Sequence, residues 1–528
     1  MLKSKRDTGR MVPLTGLFLL LAIFSLIPTR AAGLMVPSVF GDHMVFQRGQ
    51  TNSVWGWADA GKPVRVRLGD EVHETVAGAD GFWKVALAPR MSGGALELEI
   101  GSGLEKRTFA DVVFGEVWLC SGQSNMLFPV SQSLDGGRIV AEPANPNIRF
   151  LRSGRRTSTD YQRDLPARWE TSRPESRGLF SGVGYHFASA ISQTLDVPVG
   201  ILQIAVGGST IEAWIDRRIL QQDTRFSSLM KRWAALESVP WNEKPEQERH
   251  AAEMAAWEAA RLAGQDLPRK PRAAQDPRES RGRPGTFYAG LLHSVVGFGI
   301  RGVLWYQGES NAEGHKEYAE LFPLLIQSWR EAWGQGDFPF LWVQLPNHGK
   351  PSLMQDGGRT KIREAQAAAL SLPATGQIVT IDLGDPDDIH PLNKTEVGRR
   401  LAALALADVY DVSPEPAAPR LGKFSVSDHK MVLEILRCGK GLQVRSKNGP
   451  SGFLVAGEDK VFHPAQARVV EPDGLEVWSD AVAKPAAVRY AWAGSPPVTV
   501  FSSEDLPLAP FRTDTWEQSS FQPTEGAP

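Results

Sequence analysis

Cysteine is almost missing from this chain: Cys120 and Cys438 are the only two in 528 residues. That excludes a small disulfide-stapled scaffold and a cysteine-cluster metal site. A single disulfide between them stays open, but nothing in their placement indicates one. His-Glu-x-x-His is also absent and the ten histidines are dispersed, so no metal ligand set stands out. Neither sign of charge dominates, with 58 basic against 60 acidic residues. Nothing in that balance favours nucleic acid or an anionic membrane surface as a partner. No repeat of fixed period is visible.

Long apolar runs are missing too, with one exception. Met11 to Pro28 carries no charge, follows Lys3, Lys5, Arg6 and Arg10, and leads into Ala31, Ala32 and Gly33. A basic start, an apolar middle and small residues at the end are the layout of a secretory signal peptide. The run is short and broken by Pro13, Gly16 and Pro28, which makes it a poor membrane anchor. No lipid-anchor cysteine follows. Residues 1–32 are therefore expected to be removed on export, leaving a periplasmic or extracellular protein. Losing five basic residues and one acid leaves 53 basic against 59 acidic, a net charge of −6.

What remains is ordinary globular composition, 42% hydrophobic and 22% charged, long enough for two or three domains. Residues 33–110 read as all β: Val64, Val66 and Leu68 alternate with Arg65 and Arg67, and Asp80-Gly81 is a hairpin turn signal. A small β-sandwich is expected there. From 111 to 412 the rhythm becomes strand, loop, helix. Strand runs near 112–120, 199–206, 300–306, 339–345 and 378–383 alternate with helical stretches such as His315 to Trp333 and Lys394 to Tyr410. This predicts an α/β domain with a parallel sheet between helical layers, its ligand sites at the carboxyl ends of strands. Residues 241–284 interrupt the rhythm with an alanine-rich helix and a charged, proline-containing stretch, expected to form a surface insertion rather than a lid. Residues 413–528 return to a β pattern, a second accessory β-domain.

Four predicted strand ends carry chemistry. Val117 to Cys120 runs into Gly122-Gln123-Ser124-Asn125-Met126, which puts a serine hydroxyl on a sharp turn at the sheet edge. Met126 stands where a nucleophile elbow of the Gly-x-Ser-x-Gly type would place its second glycine, so the scaffold is a different one. Val199 to Val206 stops at Gly207-Gly208-Ser209-Thr210, and Ile300 to Tyr306 stops at Gln307-Gly308-Glu309-Ser310-Asn311. Ile378 to Leu383 leads to Gly384-Asp385-Pro386-Asp387-Asp388-Ile389-His390-Pro391.

A serine, a glycine pair, a Gly-x-x-Asn and an Asp-x-x-His in this order resemble the four blocks of SGNH hydrolases. The strings GQSNM (Gly122 to Met126), WYQGESNA (Trp305 to Ala312) and DIHP (Asp388 to Pro391) are closer still to the sialate O-acetylesterase family. Phe180 to Phe187, Ile211 to Trp214, Arg363 to Gln366 and Phe511 to Trp516 also look like segments of that family, so the resemblance spans nearly all of the chain beyond residue 32. It implies an SGNH-like three-layer domain flanked by N- and C-terminal β-sandwich-like domains. The implied activity is a cofactor-free esterase that removes acetyl groups from mono- or oligosaccharides. Sialosides and acetylated plant glycans such as xylan both remain open as substrates. A non-catalytic glycan-binding protein is the competing class, against which the intact Ser, Gly, Asn and His set argues.

The chemistry asks for specific partners. Ser124 needs a base to take its proton, and His390 is the candidate, held before a helix that Asn393 can cap with Glu396 three residues on. A carboxylate should orient and stabilise the imidazole. Asp387 has the three-residue spacing, Asp388 is the one that recurs in the resembling strings, and a backbone carbonyl could replace both; spacing favours Asp387. The resemblance implies an oxyanion hole made by the Ser124 N–H, the Gly208 N–H and the Asn311 amide. Gln123, Gln307 and Glu309 flank these strand ends, either to hold the catalytic groups or to touch sugar hydroxyls. Trp214 could face a sugar ring or simply be buried, and Arg363 could meet a substrate carboxylate or form a helix-surface salt bridge.

Overall fold

The computed structural model describes residues 33–522 except 266, 268, 269, 274 and 413–417. The expected signal segment, residues 1–32, lies outside the described residues, as do the first residues of the expected C-terminal domain.

The central sheet is built from seven strands: β1 (Glu105–Gly122), β2 (Asn145–Ser153), β3 (Ala167–Ser172), β4 (Val199–Ala205), β5 (Gly302–Tyr306), β6 (Phe340–Val343) and β7 (Thr375–Ile378). Their order across the sheet is β7-β6-β5-β1-β4-β2-β3. All neighbours are parallel except β3, which closes one edge antiparallel to β2. From Val112 to Gly122, and throughout β4, β5 and β6, every residue is buried. That is why these strands read as unbroken apolar runs and not as alternations. The chain leaves β1 towards one side of the sheet and returns on the other, so the carboxyl end of β1 is the topological switch point where a crevice forms.

Two helical layers cover the sheet. Helices α1 (Gly182–Leu195) and α5 (Lys394–Asp408) pack together on one face, and α3 (His315–Trp333) and α4 (Arg359–Ala368) on the other. Trp305 meets Trp329 of α3 edge-on, while the next residue, Tyr306, lies under Lys394 of α5. Consecutive strand residues point to opposite faces, so the two helix pairs are on opposite sides. The helix in the 241–284 segment, α2 (Glu243–Leu262), buries none of its residues.

The β-rich flanks differ from expectation in one respect. β1 is a single 18-residue strand whose first half pairs antiparallel with Leu96–Ser102, while Val113 to Gly115 pair in parallel with Val45 to Gln47. The expected boundary at 110/111 falls inside that strand, and one hydrophobic core joins Val45, Val66 and Trp83 to Trp118 and Val199. The C-terminal region forms a four-stranded and a five-stranded sheet of its own, with Val379 and Ile381 reaching into its core. The last motif also shifts: the sheet strand is Thr375–Ile378, so the run 378–383 is mostly the loop that follows it. The strands β2 and β3 were not anticipated.

Candidate active site

At the end of β1 the chain turns through Gly122, whose φ of +130° few other residues adopt. A Cβ there would run into the Tyr306 carbonyl of neighbouring β5. Gln123 then pairs its N–H with that same carbonyl at 2.9 Å. Ser124 follows, at the start of a single helical turn (Ser124–Leu127). Its Oγ lies 2.8 Å from Nε2 of His390, which approaches from the loop after β7 and stacks on Phe128.

The His390 loop is shaped by aspartates. The Asp385 carboxylate accepts the N–H groups of Asp387 and Asp388, and Asp388 Oδ1 accepts the N–H of His390 at 2.8 Å. The same oxygen lies 3.7 Å from His390 Nδ1. The spacing that favoured Asp387 is therefore corrected by the turn itself, which presents Asp388 to the imidazole. Asn393 caps α5 through Glu396 N–H, as expected, but the Glu396 carboxylate turns away to Arg399 and Arg400 and closes no reciprocal box.

The donors expected for an oxyanion converge on the same edge. A Cβ built on Gly207 would stand 3.5 Å from Ser124 Cβ, which places the glycine turn directly against the serine. Among the described residues, neither the Ser124 N–H nor the Gly208 N–H is given to a protein acceptor. Asn311 is held in one orientation: its Oδ1 accepts from Ile211 N–H at 3.0 Å and Gln307 Nε2 at 2.8 Å. Its Nδ2 gives one proton to Glu212 at 3.1 Å and keeps the other. Burial pushes the Glu212 carboxyl above the ordinary range.

Several flanking residues brace these loops. Gln123, buried, accepts from the N–H groups of Gly308 and Ser310. Gln307, fully buried, also bonds the Ser209 carbonyl and so ties the asparagine loop to the glycine turn. Glu309 accepts from Asn125 Nδ2 at 2.6 Å. Two candidate substrate contacts, Trp214 and Arg363, turn out to be interior residues. Trp214 is fully buried, with its Nε1 on Ser209 Oγ and its ring against Trp305, so it presents no face to a sugar. Arg363 is buried as well and makes neither a substrate contact nor a surface salt bridge. Its guanidinium bonds the carbonyls of Leu345, Pro346, Ala493 and Gly494, joining α4 to the C-terminal region.

Two residues that sequence patterning passed over sit at the heart of the site. Asn125 donates to the Ile389 carbonyl as well as to Glu309, and so links the serine turn to the histidine loop. Lys394, buried beneath Phe128 and Tyr306, donates to Asn125 Oδ1 at 2.6 Å. Their signal was their position next to Ser124 and next to the cap residue Asn393. Among the described residues, no group of His, Cys, Asp and Glu could hold a metal ion, and no helix is long and apolar enough to cross a membrane. Cys120 and Cys438 are both buried free thiols.

A serine hydroxyl bonded to an imidazole at a sheet edge, beside unengaged N–H donors, has the arrangement of a serine hydrolase. The family model described as carbohydrate esterase, sialic acid-specific acetylesterase matches residues 114–241 and 286–407. A carbohydrate acetylesterase from Xanthomonas citri, whose structure is solved, is 34% identical, with 92% of this chain and 100% of that one covered and a TM-score of 0.77. Human sialate O-acetylesterase is 29% identical over 512 residues, 88% of each chain, and the mouse enzyme is 29% identical over 436 residues, 75% of this chain and 77% of its own. The chain belongs to the carbohydrate esterase, sialic acid-specific acetylesterase family, and it is an esterase.

Proposed function

We propose that this esterase removes O-acetyl groups from mono- or oligosaccharides by a Ser124–His390 mechanism, on a domain of SGNH type flanked by two β-rich regions. The observation that carries the reading is the 2.8 Å approach of Ser124 Oγ to His390 Nε2 at the switch point of the sheet. Ser124 Oγ attacks the acetyl carbonyl carbon while Nε2 takes its proton. The negative charge that forms on the carbonyl oxygen is received by the Ser124 N–H, the Gly208 N–H and the free proton of Asn311 Nδ2. Collapse breaks the bond to the sugar oxygen, and the imidazolium gives that oxygen its proton. Water then attacks the acetyl-serine carbonyl while His390 takes its proton, the bond to Ser124 Oγ breaks as the imidazolium returns that proton to Oγ, and acetic acid leaves as acetate. Asp388 anchors the histidine loop and places negative charge near Nδ1. No cofactor enters these steps.

Residues 1–32 support export, so the enzyme would meet its glycan substrate outside the cytoplasm, with no membrane attachment once they are cleaved. Replacing Ser124 by Ala tests the mechanism: loss of a triad member typically costs several powers of ten in turnover. More than a small residual rate at an unchanged melting temperature would remove Ser124 from the nucleophile's role. Acetate release from a panel of acetylated sialosides and xylo-oligosaccharides identifies the sugar.

A further inference from the structure

The turn after β4 has its own support, and it comes from the insertion. Ser209 N–H bonds the Val206 carbonyl at 3.2 Å, closing a four-residue turn around Gly207 and Gly208. Of the two central residues only Gly208 has positive φ, +71°, as in a type II turn, where the third position favours glycine. In such a turn the central peptide stands across the turn, its carbonyl on one side and its N–H on the other, because the two point oppositely in a trans peptide. Here that peptide is the carbonyl of Gly207 and the N–H of Gly208.

Arg281, at the end of the 241–284 segment, donates from Nη1 to this Gly207 carbonyl at 2.9 Å. Both the helix and the arginine lie in the stretch between the two segments the family model covers. Arg281 is half-buried, and among the described residues no carboxylate pairs with it. Burial, and after it the neighbouring charges of Arg155 and Arg272, push its pKa below the usual arginine range. It nevertheless stays a cation, as arginine does in proteins. A positive charge with no carboxylate partner among the described residues is thus delivered to the peptide that packs against Ser124.

We propose that Arg281 is a positioning residue of the esterase site: it fixes the Gly207–Gly208 peptide with its N–H turned to the substrate side and strengthens that N–H as a donor. This rests on the Gly208 N–H being an oxyanion donor, as in the mechanism above. The physical basis is twofold. Flipping the central peptide of a turn needs only local rotation, and a charge-assisted bond to the carbonyl holds it in one state. Hydrogen bonds in series also polarise one another, so a cation on the carbonyl makes the N–H at the other end of the same amide a better donor. The gain appears where negative charge develops, in the transition state, and not when neutral ester binds.

Steady-state kinetics of the full-length enzyme on p-nitrophenyl acetate test the idea, comparing wild type with Arg281→Met, Arg281→Lys and Ser124→Ala, alongside thermal melts. The expected result is a fall of about tenfold in kcat for Arg281→Met with KM within about twofold, and recovery of most of that loss by Arg281→Lys. Unchanged kcat in Arg281→Met overturns the proposal. So does a loss that Lys fails to recover and that accompanies a lower Tm, which would make Arg281 a structural brace. A loss confined to KM on a carboxylate-bearing acetylated sugar overturns it too, by assigning the guanidinium to substrate. Residual activity of Ser124→Ala would instead overturn the nucleophile assignment, so the two failures are distinguishable.

Discussion

Lys394 Nζ donates to Asn125 Oδ1 at 2.6 Å from a fully buried position between the rings of Phe128 and Tyr306. This one contact couples α5 to the residue after the serine, and through Asn125 Nδ2 to the Ile389 carbonyl beside His390. An ammonium shut away from water is costly even with a good acceptor, because one hydrogen bond does not replace its hydration. Here burial lowers the Lys394 pKa from an ordinary 10.5 to about 7, with the charges of Glu309 and Asp388 pulling it back upward.

The sign of the resulting pH dependence is fixed. Below pH 7 the lysine is protonated in folded and unfolded chains alike, and the fold bears the full cost of the buried charge. Between about 7 and 10.5 the unfolded chain keeps a proton that the folded one has shed, so stability rises with pH. Denaturant melts of wild type and Lys394→Met across pH 6–10 should show wild type gaining on the variant above pH 7, by up to about 1.4 kcal/mol per pH unit. Titrations common to both proteins cancel in the difference. A difference that stays flat across the range would mean that the ammonium is better solvated than its burial indicates.

The aspartate pair separates by the same kind of comparison. Asp388→Asn keeps an oxygen to accept the His390 N–H, so the loop stays anchored while the charge near Nδ1 is lost. Its kcat should fall roughly ten- to a hundredfold, less than for a buried carboxylate in direct contact with the imidazole. Asp387→Asn should stay within about twofold of wild type, since among the described residues that exposed side chain bonds no other group, whereas Asp388 engages His390. Kinetics in which Asp387→Asn is the more damaged enzyme would restore the spacing argument over the observed turn.

How far the site could be read ahead of the structure follows from what each feature depends on. The serine, glycine and asparagine blocks end buried parallel strands, and such strands leave unbroken apolar runs that mark their own ends. β2, with Asn145, Pro146, Asn147 and Arg149 among its residues, has no such run and takes its place between two partners, β4 on one side and β3 on the other. Trp214 and Arg363 were candidates for ligand contact, the indole for a sugar face and the guanidinium for a substrate carboxylate, with burial and a surface salt bridge as the alternatives. Their burial is a tertiary fact, set by the Ser209 hydroxyl in one case and four backbone carbonyls in the other. The choice between Asp387 and Asp388 hinged on a turn around Asp385, which residue spacing does not encode. Lys394 follows a cap residue, where a lysine is ordinarily solvent-facing, so nothing local announced a buried ammonium.

Asn311 gives the sharpest separation of catalysis from structure, and the structure changes what its removal should do. Its Oδ1 serves Ile211 N–H and Gln307 Nε2, and its Nδ2 serves Glu212, so truncation leaves three buried groups short of a partner. Asn311→Ala should therefore cost stability, about 1–3 kcal/mol, whatever its part in the reaction. In the proposed mechanism the catalytic contribution is separate, because there the free Nδ2 proton would bond a full negative charge more strongly than a neutral ester carbonyl. At temperatures where the variant is fully folded, kcat should fall roughly a hundredfold or more while KM stays nearly constant. Gln307→Leu supplies the control: it also leaves Asn311 less firmly held, but it removes no donor from the site, so its turnover should fall less for a comparable loss of stability. Equal losses of turnover in the two variants would show that only the loop's order matters. Retained turnover in Asn311→Ala despite a lower Tm would remove Asn311 from the oxyanion hole and leave the two backbone N–H groups to hold the charge alone.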